Sequence, residues 1–353
     1  MSKNYLISTG GSGGHVIPAI ILYEHLAKDT NVIISSDKRG LKYLEKDCKY
    51  KIINTPKLNN LFLLPLNLVI VFILTIKSYL LLKTEKIEKL FSTGGYMSLP
   101  VILAARLLKL KIYLIEPNHV LGRANKFFLD SCQKIFCYTE KIKNFPSKHI
   151  NKIQIIDPLV RQKIYKINRT SSDNDKLNIL VVGGSQGAKV FDHELKKKFV
   201  NISKKFQIKI YHQTSEKNIQ ILKDYYQKNG VECSIFSFDP EFEKILIKSD
   251  LCITRAGAST LAELSILNIP FITVPLPTSK DDHQLENANF YKNKDCCWIL
   301  KQQLFEEKIE ELIVNIIQNK TDFLTKKENL KRLNYQNTWI NVNQKILETI
   351  NEN

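Results

Sequence analysis

The sequence predicts an α/β protein organised as two parallel-sheet domains, and three observations carry that prediction. At residues 177–200 an apolar run (LNILVV) breaks at Gly183-Gly184, passes Ser185-Gln186-Gly187 and resumes with a helical pattern. The same order occurs at the N-terminus. There residues 3–8 run into Thr9-Gly10-Gly11-Ser12-Gly13-Gly14-His15, and Val16-Ile17-Pro18-Ala19 opens a helix. The chain is 353 residues long with 44% hydrophobic residues, enough for two cores. A strand, a Gly-rich turn and a helix N-terminus together form a phosphate cradle, because free N–H groups and the helix dipole favour an anion. A tight strand-to-helix turn of any α/β domain reads the same way. Neither loop fits G-x-G-x-x-G or G-x-x-x-x-G-K-[ST], which argues against a simple dehydrogenase and a P-loop NTPase.

Along the first half, residues 31–35 read as the second strand, 37–47 as a short charged helix and 50–54 as a strand. Residues 89–92 look like a strand end, followed by the Gly-rich turn Thr93-Gly94-Gly95-Tyr96-Met97-Ser98 and a helix over 101–108. Residues 111–115 form a strand, with Glu116-Pro117-Asn118-His119 at its C-terminal end, and 136–139 form another. Residues 153–161 lead out of the domain, and the polar run 169–176 (RTSSDNDK) reads as a boundary loop. Open α/β sheets bind ligands at the C-terminal ends of their strands, so the loops at 9–15, 93–98 and 116–125 are expected to converge.

In the second half, residues 207–212, 233–238, 250–254 and 271–274 read as strands. Arg255-Ala256-Gly257-Ala258 turns into a helix near Ser259-Thr260, and residues 282–288 open the helix after the last of these strands. From Phe305 onward the chain is amphipathic helix rich in lysine and glutamate.

Residues 58–82 (LNNLFLLPLNLVIVFILTIKSYLLL) are the most hydrophobic segment, uncharged from Leu58 to Ile76 but interrupted by Asn59, Asn60, Pro65 and Asn67. Lys57, Lys77 and Lys83 flank it. A clean span needs about 20 predominantly apolar residues. Three readings stand: a buried core helix, a helix in the membrane interface, and a transmembrane span. Spanning would pull the segment out of a domain whose strands lie on both sides of it.

The formal net charge is +17, with lysine scattered along the chain. That balance suits an anionic membrane surface. No RNA- or DNA-binding motif is present, so nucleic acid is not an expected partner. The seven cysteines include no C-x-x-C pair and suit free cytosolic thiols better than a disulfide framework or zinc site. Cys252 lies in an apolar run and reads as core. No long apolar N-terminal segment marks a signal peptide.

Seven stretches then read together: GGSGGHVIPA at 10–19, STGGYMSLP at 92–100, EPNHVLGRANK at 116–126, VVGGSQGAK at 181–189, HQT at 212–214, TRAGASTLAEL at 254–264 and DDHQLENA at 281–288. Each is weak alone. In this order, across nearly the whole chain, they resemble the MurG family of glycosyltransferases, which make the lipid-linked disaccharide of the bacterial cell wall. The resemblance implies a GT-B fold, two Rossmann-like domains with parallel sheets facing across a cleft. It implies an acceptor- and membrane-binding domain at 1–162, a UDP-GlcNAc-binding domain at 163–340, and a tail at 341–353 packing back on the first. The implied reaction moves GlcNAc, with inversion, from UDP-GlcNAc to the 4-hydroxyl of undecaprenyl-diphospho-muramoyl-pentapeptide. No cofactor or metal is implied. The implied location is peripheral, on the cytoplasmic face of the membrane, against anionic lipid.

The resemblance also implies site residues. Donor contacts fall at Ser12, Gly13, Gly14, Arg161, Ser185, Gln186, Gly187, Ala258, Ser259, Thr260, Glu263, Gln284 and Asn287. Acceptor contacts fall at His15, Tyr96, Glu116, Asn118 and Asn125. Helix N-termini at the Gly184–Gly187 and Ala258–Thr260 loops can stabilise a departing nucleoside diphosphate without a metal. Arg161 resembles the arginine on the donor phosphates and Glu263 the ribose ligand, although Thr260-x-x-Glu263 also reads as a capping box. Gln284 and Asn287, three apart, share a helix face and correspond to the sugar-binding pair. His15 is either the general base or a ligand of the acceptor diphosphate. The segment at 61–82 falls where the family carries an apolar patch ringed by basic residues. Lys77, Lys83, Arg106, Lys109 and Lys111 would each add roughly 1 kcal/mol near anionic lipid.

The chain departs from the family at Pro117, where glutamine is usual, at Asp157-Pro158-Leu159 in place of Gly-Asn-Pro, and at Ser12 in place of threonine. Rival readings are a UDP-GlcNAc 2-epimerase, another lipid-directed GlcNAc transferase, or a non-catalytic membrane scaffold.

Overall fold

The computed structural model describes residues 3–44, 48–57, 62–167, 176–183, 189–237, 239 and 241–352. The chain divides into two compact units, Met1–Val160 with Trp339–Asn353, and Arg161–Thr338.

The first unit runs β1 (Asn4–Ser8), α1 (Gly13–Leu26), β2 (Asn31–Ser36), β3 (Tyr50–Ile52), α2 (Leu64–Thr84), β4 (Lys89–Ser92), α3 (Leu99–Leu107), β5 (Lys111–Glu116), α4 (Arg123–Phe128), β6 (Lys134–Cys137) and β7 (Ile153–Ile155). Its strands form one sheet in the order β3-β2-β1-β4-β5-β6-β7, and every pair is parallel. Parallel sheets are covered on both faces, so their strands are apolar at successive positions. Leu6, Ile33, Leu90, Ile112 and Leu114 join α3 in one core, while Tyr5, Ile7, Ile34, Phe91, Tyr113 and Ile115 join α1 in the other. The order reverses between β1 and β4, which makes their C-terminal ends the switch-point crevice.

The second unit contains α5 (Gln162–Tyr165), β8 (Leu177–Val182), α6 (Lys189–Ser203), β9 (Ile208–Gln213), α7 (Ile219–Lys228), β10 (Glu232–Phe236), α8 (Phe242–Lys248), β11 (Leu251–Thr254), α9 (Ala258–Ile266), β12 (Phe271–Thr273), α10 (His283–Lys292), β13 (Cys297–Ile299), α11 (Phe305–Gln318) and α12 (Lys320–Leu333). Its parallel sheet runs β10-β9-β8-β11-β12-β13, with the switch point between β8 and β11. The last helix, α13 (Trp339–Glu352), belongs to the first unit, where Val342, Ile346 and Ile350 enter the α1 core. Its other ties include Lys345 Nζ to Asp157 Oδ2 at 2.7 Å and the buried Lys89 ammonium, which donates to the Ile350 carbonyl.

Three details differ from the sequence reading. β7 lies in the stretch read as an exit, and β13 was not assigned. Both have three residues and pair with one neighbour only, which gives no periodicity to read. The helix expected over 37–47 is instead a turn and a short 3₁₀ helix, Leu41–Tyr43; residues 45–47 lie outside the described ones. The cause is Asp37, whose Oδ1 accepts both Gly40 N–H (3.0 Å) and Gly11 N–H (2.8 Å) and ties this stretch to the first Gly loop. β6 begins two residues earlier than expected, because Lys134 is the residue in register with Tyr113.

Helix α2 is inside-out. Its buried side chains are Asn67, Val71, Thr75, Ser78 and Leu82, mostly polar, at helical spacing. Leu66, Leu68, Val69, Phe72, Ile73, Ile76 and Leu80 are exposed. Asn67 Nδ2 donates to Lys57 O at 2.9 Å and Thr75 Oγ1 to Val71 O at 2.8 Å. One side of the helix packs inward, with Leu82 in the sheet core and Leu74, Tyr79 and Leu81 against it, but most of the apolar residues face outward, so the segment is not a buried core helix.

Candidate functional site

Three loops meet at the switch point of the first unit. Ser8 and Ser92 end β1 and β4 in register, so Thr9 and Thr93 lie side by side with their hydroxyls 2.8 Å apart. Both following loops need glycine. Gly11 (φ +82°) and Gly95 (φ +81°) adopt left-handed backbone, and a β-carbon on either would sit under 3 Å from Met97 Cε, at 2.8 and 2.9 Å. Met97 is thus the spacer over which the two loops close. Asn125, from α4, completes the cluster: its Nδ2 donates to Ile115 O and Glu116 Oε2, both at 3.0 Å. Its Oδ1 is buried without a partner and lies 3.1 Å from where a Gly94 β-carbon would be.

His15 stands in the first turn of α1. Its Nδ1 lies 2.8 Å from the Thr93 carbonyl oxygen. A carbonyl only accepts, so Nδ1 carries the hydrogen and the neutral ring keeps its lone pair on Nε2. That is the tautomer a general base needs. Ser12 is the N-cap but makes no capping bond, so the N–H groups of Gly13 and Gly14 have no capping side chain. Glu116 is 2% exposed and accepts four hydrogen bonds, from Asn118 N, Asn118 Nδ2, Gly122 N and Asn125 Nδ2. Its place is under the 116–125 loop, which it shapes. Tyr96 is held at the rim, where its hydroxyl accepts from Arg39 Nη2.

In the second unit, β11 ends at Thr254 and α9 begins at Ala258, with Gly257 as an N-cap that has no side chain to offer. Ala258, Ser259 and Thr260 form its first turn and are partly exposed. The capping-box alternative for Thr260 and Glu263 is excluded, since Thr260 lies inside the helix. Glu263 is buried and instead receives Arg161 in a two-point pair, Nε to Oε1 at 2.7 Å and Nη2 to Oε2 at 3.0 Å. Gln284 Oε1 accepts Leu276 N–H at 3.0 Å. Asn287 is 1% exposed, and its Nδ2 donates to Ala256 O at 3.1 Å, bracing the turn before α9. Ser185, Gln186 and Gly187 lie outside the described residues.

The N-terminal domain model of glycosyltransferase family 28 matches residues 5–137, and its C-terminal domain model matches 178–338. The chain is 48% identical over 356 residues to the UDP-N-acetylglucosamine--N-acetylmuramyl-(pentapeptide) pyrophosphoryl-undecaprenol N-acetylglucosamine transferase of Pelagibacter ubique, covering 100% of both chains. This chain belongs to the MurG family. The like-named protein of Rickettsia canadensis is 34% identical over 331 residues, covering 90% of this chain and 91% of its own. Among solved structures, Acinetobacter baumannii MurG matches with TM-score 0.78 at 22% identity over 100% of both chains. A UDP-N-acetylglucosamine 2-epimerase matches with TM-score 0.63 at 13% identity, covering 93% of this chain and 91% of its own. The two Rossmann-like domains are thus those of MurG, and the fold by itself is shared with epimerases.

The family's HQT stretch finds a physical reason here. Asp192, in the first turn of α6, accepts from His212 Nε2 (3.1 Å), Thr214 Oγ1 (2.7 Å) and Asn218 Nδ2 (2.9 Å). Burial opposes its ionisation, but these bonds outweigh burial and hold Asp192 below the ordinary carboxylate value. The stretch therefore fixes the start of α6 to the end of β9. Sequence reading also missed Asp37, Arg39 and Met97. The available signal was positional: an acidic residue closing the strand beside a Gly loop.

Helix α2 adds a second surface. It is long and apolar enough to cross a membrane by length and composition, with mean hydropathy 2.0 and 22% of that window buried. Both its ends return to strands of one sheet, and it packs on α3, so it cannot cross while the unit stays folded.

Proposed function

We propose that this protein transfers GlcNAc from UDP-GlcNAc to the 4-hydroxyl of undecaprenyl-diphospho-muramoyl-pentapeptide, as an inverting transferase of peptidoglycan synthesis. In the proposed step His15 Nε2 takes the proton of the acceptor hydroxyl. The freed oxygen forms a bond to the sugar's anomeric carbon from the face opposite UDP. The bond to UDP breaks, and its electron pair leaves on the diphosphate. The first turn of α9 (Ala258, Ser259, Thr260) supplies N–H groups for that charge, with Ser185, Gln186 and Gly187 assigned the same part at the start of α6. Arg161 and Glu263 act as one unit, in which Arg161 holds the carboxylate that receives the ribose hydroxyls. Gln284 has its Nε2 available for the sugar, whereas Asn287 supports the turn from behind. Tyr96, Asn118 and Asn125 frame the reacting groups on the acceptor side, and Ser12, Gly13 and Gly14, at the start of α1 beside His15, reach toward the donor.

The observation that carries this reading over an epimerase is the inside-out helix α2. An enzyme acting on a soluble sugar nucleotide has no use for exposed Leu66, Phe72, Ile76 and Leu80, whereas one whose acceptor tail stays in the bilayer does. The proposed location is peripheral, on the cytoplasmic face of the membrane, with α2 in the interface and Lys77, Lys83, Arg106, Lys109 and Lys111 toward anionic headgroups. The test is UDP release from UDP-GlcNAc with and without a short-chain lipid acceptor. Acceptor-dependent release supports the transferase. Conversion of UDP-GlcNAc to its 2-epimer without acceptor would replace it with the epimerase, and binding without turnover would leave only a scaffold.

A further inference from the structure

One charged side chain at the acceptor loops has no assigned part. Arg39 follows the C-terminal end of β2 and stands over the first Gly loop. Its Nη2 lies 3.8 Å from where a Gly11 β-carbon would be. One edge of the guanidinium is anchored: Nε and Nη2 both reach Asp37 Oδ2 at 2.7 Å. Nη2 also donates to the Tyr96 hydroxyl and touches Met97 Sδ at 3.8 Å. Nη1 makes no hydrogen bond among the described residues, and the side chain is 49% exposed.

Asp37 is the fixed point of this arrangement. Its side chain is 6% exposed, and it accepts from Gly11 N, Gly40 N and Arg39. Burial opposes its ionisation, but the bond from Gly11 N, then those from Arg39 and Gly40 N, outweigh burial and hold it below the ordinary carboxylate value. The carboxylate thus faces inward, fully used, and aims the arginine outward. A cation braced on one edge keeps its other edge pre-organised, which lowers the ordering cost of gripping an anion. Beside it lie the uncapped N–H groups of α1 and His15, all within the same loop cluster.

We propose that Arg39 is a recognition residue for the acceptor's diphosphate, which it meets through the guanidinium edge that Asp37 and Tyr96 leave open. This rests on the transferase reading above. It also gives Tyr96 a part: the ring holds Arg39 in place, with the guanidinium carbon 5.7 Å from its centroid. A brace that merely stiffened the loops would need no exposed edge. A diphosphate fits better than the carboxylates of the acceptor's peptide, because Arg39 adjoins the Gly loop where N–H groups converge.

The experiment compares wild type, Arg39→Gln and Arg39→Lys on two short-chain acceptors, one carrying a prenyl diphosphate and one a prenyl monophosphate, at saturating UDP-GlcNAc. For Arg39→Gln, kcat/KM for the diphosphate acceptor should fall about tenfold to a hundredfold. The KM for UDP-GlcNAc should stay within about twofold, and the preference for diphosphate over monophosphate should shrink. Arg39→Lys, which keeps the charge without the fork, should fall between. Inorganic pyrophosphate should inhibit wild type better than Arg39→Gln. An equal loss on both acceptors, a parallel rise in donor KM, or an unchanged profile would overturn the assignment while wild type remains an active transferase. A defect of Arg39→Gln that disappears on acceptors stripped of peptide would overturn the assignment and give Arg39 to the peptide. No transfer by wild type on either acceptor would sink the transferase reading itself, and Arg39's part with it.

Discussion

At the scale of single residues, the chemistry turns on which groups are already committed. The Nδ1–H of His15 donates to the Thr93 carbonyl, which places the lone pair of the neutral ring on Nε2, so its tautomer is fixed by a backbone carbonyl. His15→Gln should lower kcat about a hundredfold or more, the usual range for a lost general base, while leaving donor KM within about twofold. A rise in acceptor KM at unchanged kcat would instead make His15 a binder of the acceptor diphosphate. Arg161 and Glu263 invite a different experiment. With side chains 22% and 8% exposed, removing one leaves the other short of a partner in a place water reaches poorly. Arg161→Ala should cost about 2 kcal/mol of stability in denaturant unfolding and should weaken UDP-GlcNAc binding. Double replacement by Arg161→Met and Glu263→Leu should recover stability but not binding. If the double variant bound UDP-GlcNAc like wild type, neither side chain could belong to the donor site.

At the scale of elements, α13 is held to its unit by a histidine that cannot afford a charge. His25 is buried, stacks on Trp339 with ring centroids 3.6 Å apart, and bonds Asn343 Oδ1 through Nδ1 at 3.1 Å, while its Nε2 has no partner. Burial, partly offset by the Asn343 bond, lowers its pKa from 6.5 to about 4. Above about pH 6.5 both folded and unfolded chains hold it neutral. As pH falls from about 6.5 to about 4, the unfolded chain takes up a proton that the folded one refuses, so stability is lost across that window, by about 3 kcal/mol in all. Unfolding followed by tryptophan fluorescence should therefore show His25→Phe losing less stability than wild type between these pH values; parallel pH profiles for the two proteins would refute it. Nothing in the sequence around His25 announced this, because its partner is more than 300 residues away. The strands and Gly loops were legible because each depends on neighbours in sequence: β1 with Gly11 to Gly14, β4 with Gly94 and Gly95, β11 with Gly257. The edge strands β7 and β13 were not, since three residues carry no period. The turn after Asp37 was not, because a single carboxylate bonded to a distant Gly loop overrode local helical preference. Glu263 was legible as a type of residue but not as Arg161's partner, which only the fold brings to it.

At the scale of the whole molecule, two forces draw the protein to a bilayer under the proposed reading. The chain carries a formal net charge of +17. Exposed on α2 and just before it are Phe62, Leu66, Leu68, Val69, Phe72, Ile73, Ile76 and Leu80, with Lys77 and Lys83 exposed on the same helix. The two forces answer differently to salt. Screening length falls from about 10 Å at 0.1 M to about 3 Å at 1 M ionic strength, which removes attraction between exposed charges and anionic headgroups. Burial of apolar surface, worth about 25 cal/mol per Å², survives that change. The polar stripe of α2, Asn67, Thr75 and Ser78, packs inward, so its outward residues are available to lipid without any rearrangement of the unit. Co-sedimentation with vesicles containing anionic lipid should therefore be reduced, but not abolished, by about 1 M salt. The double variant Phe72→Gln, Leu80→Gln should bind the same vesicles more weakly at low salt and be released completely at high salt. Its turnover on a short-chain acceptor in detergent should match wild type, because neither residue touches the loop cluster. Complete salt release of wild type would mean that charge alone holds the protein to the bilayer and that the apolar face of α2 serves some other partner.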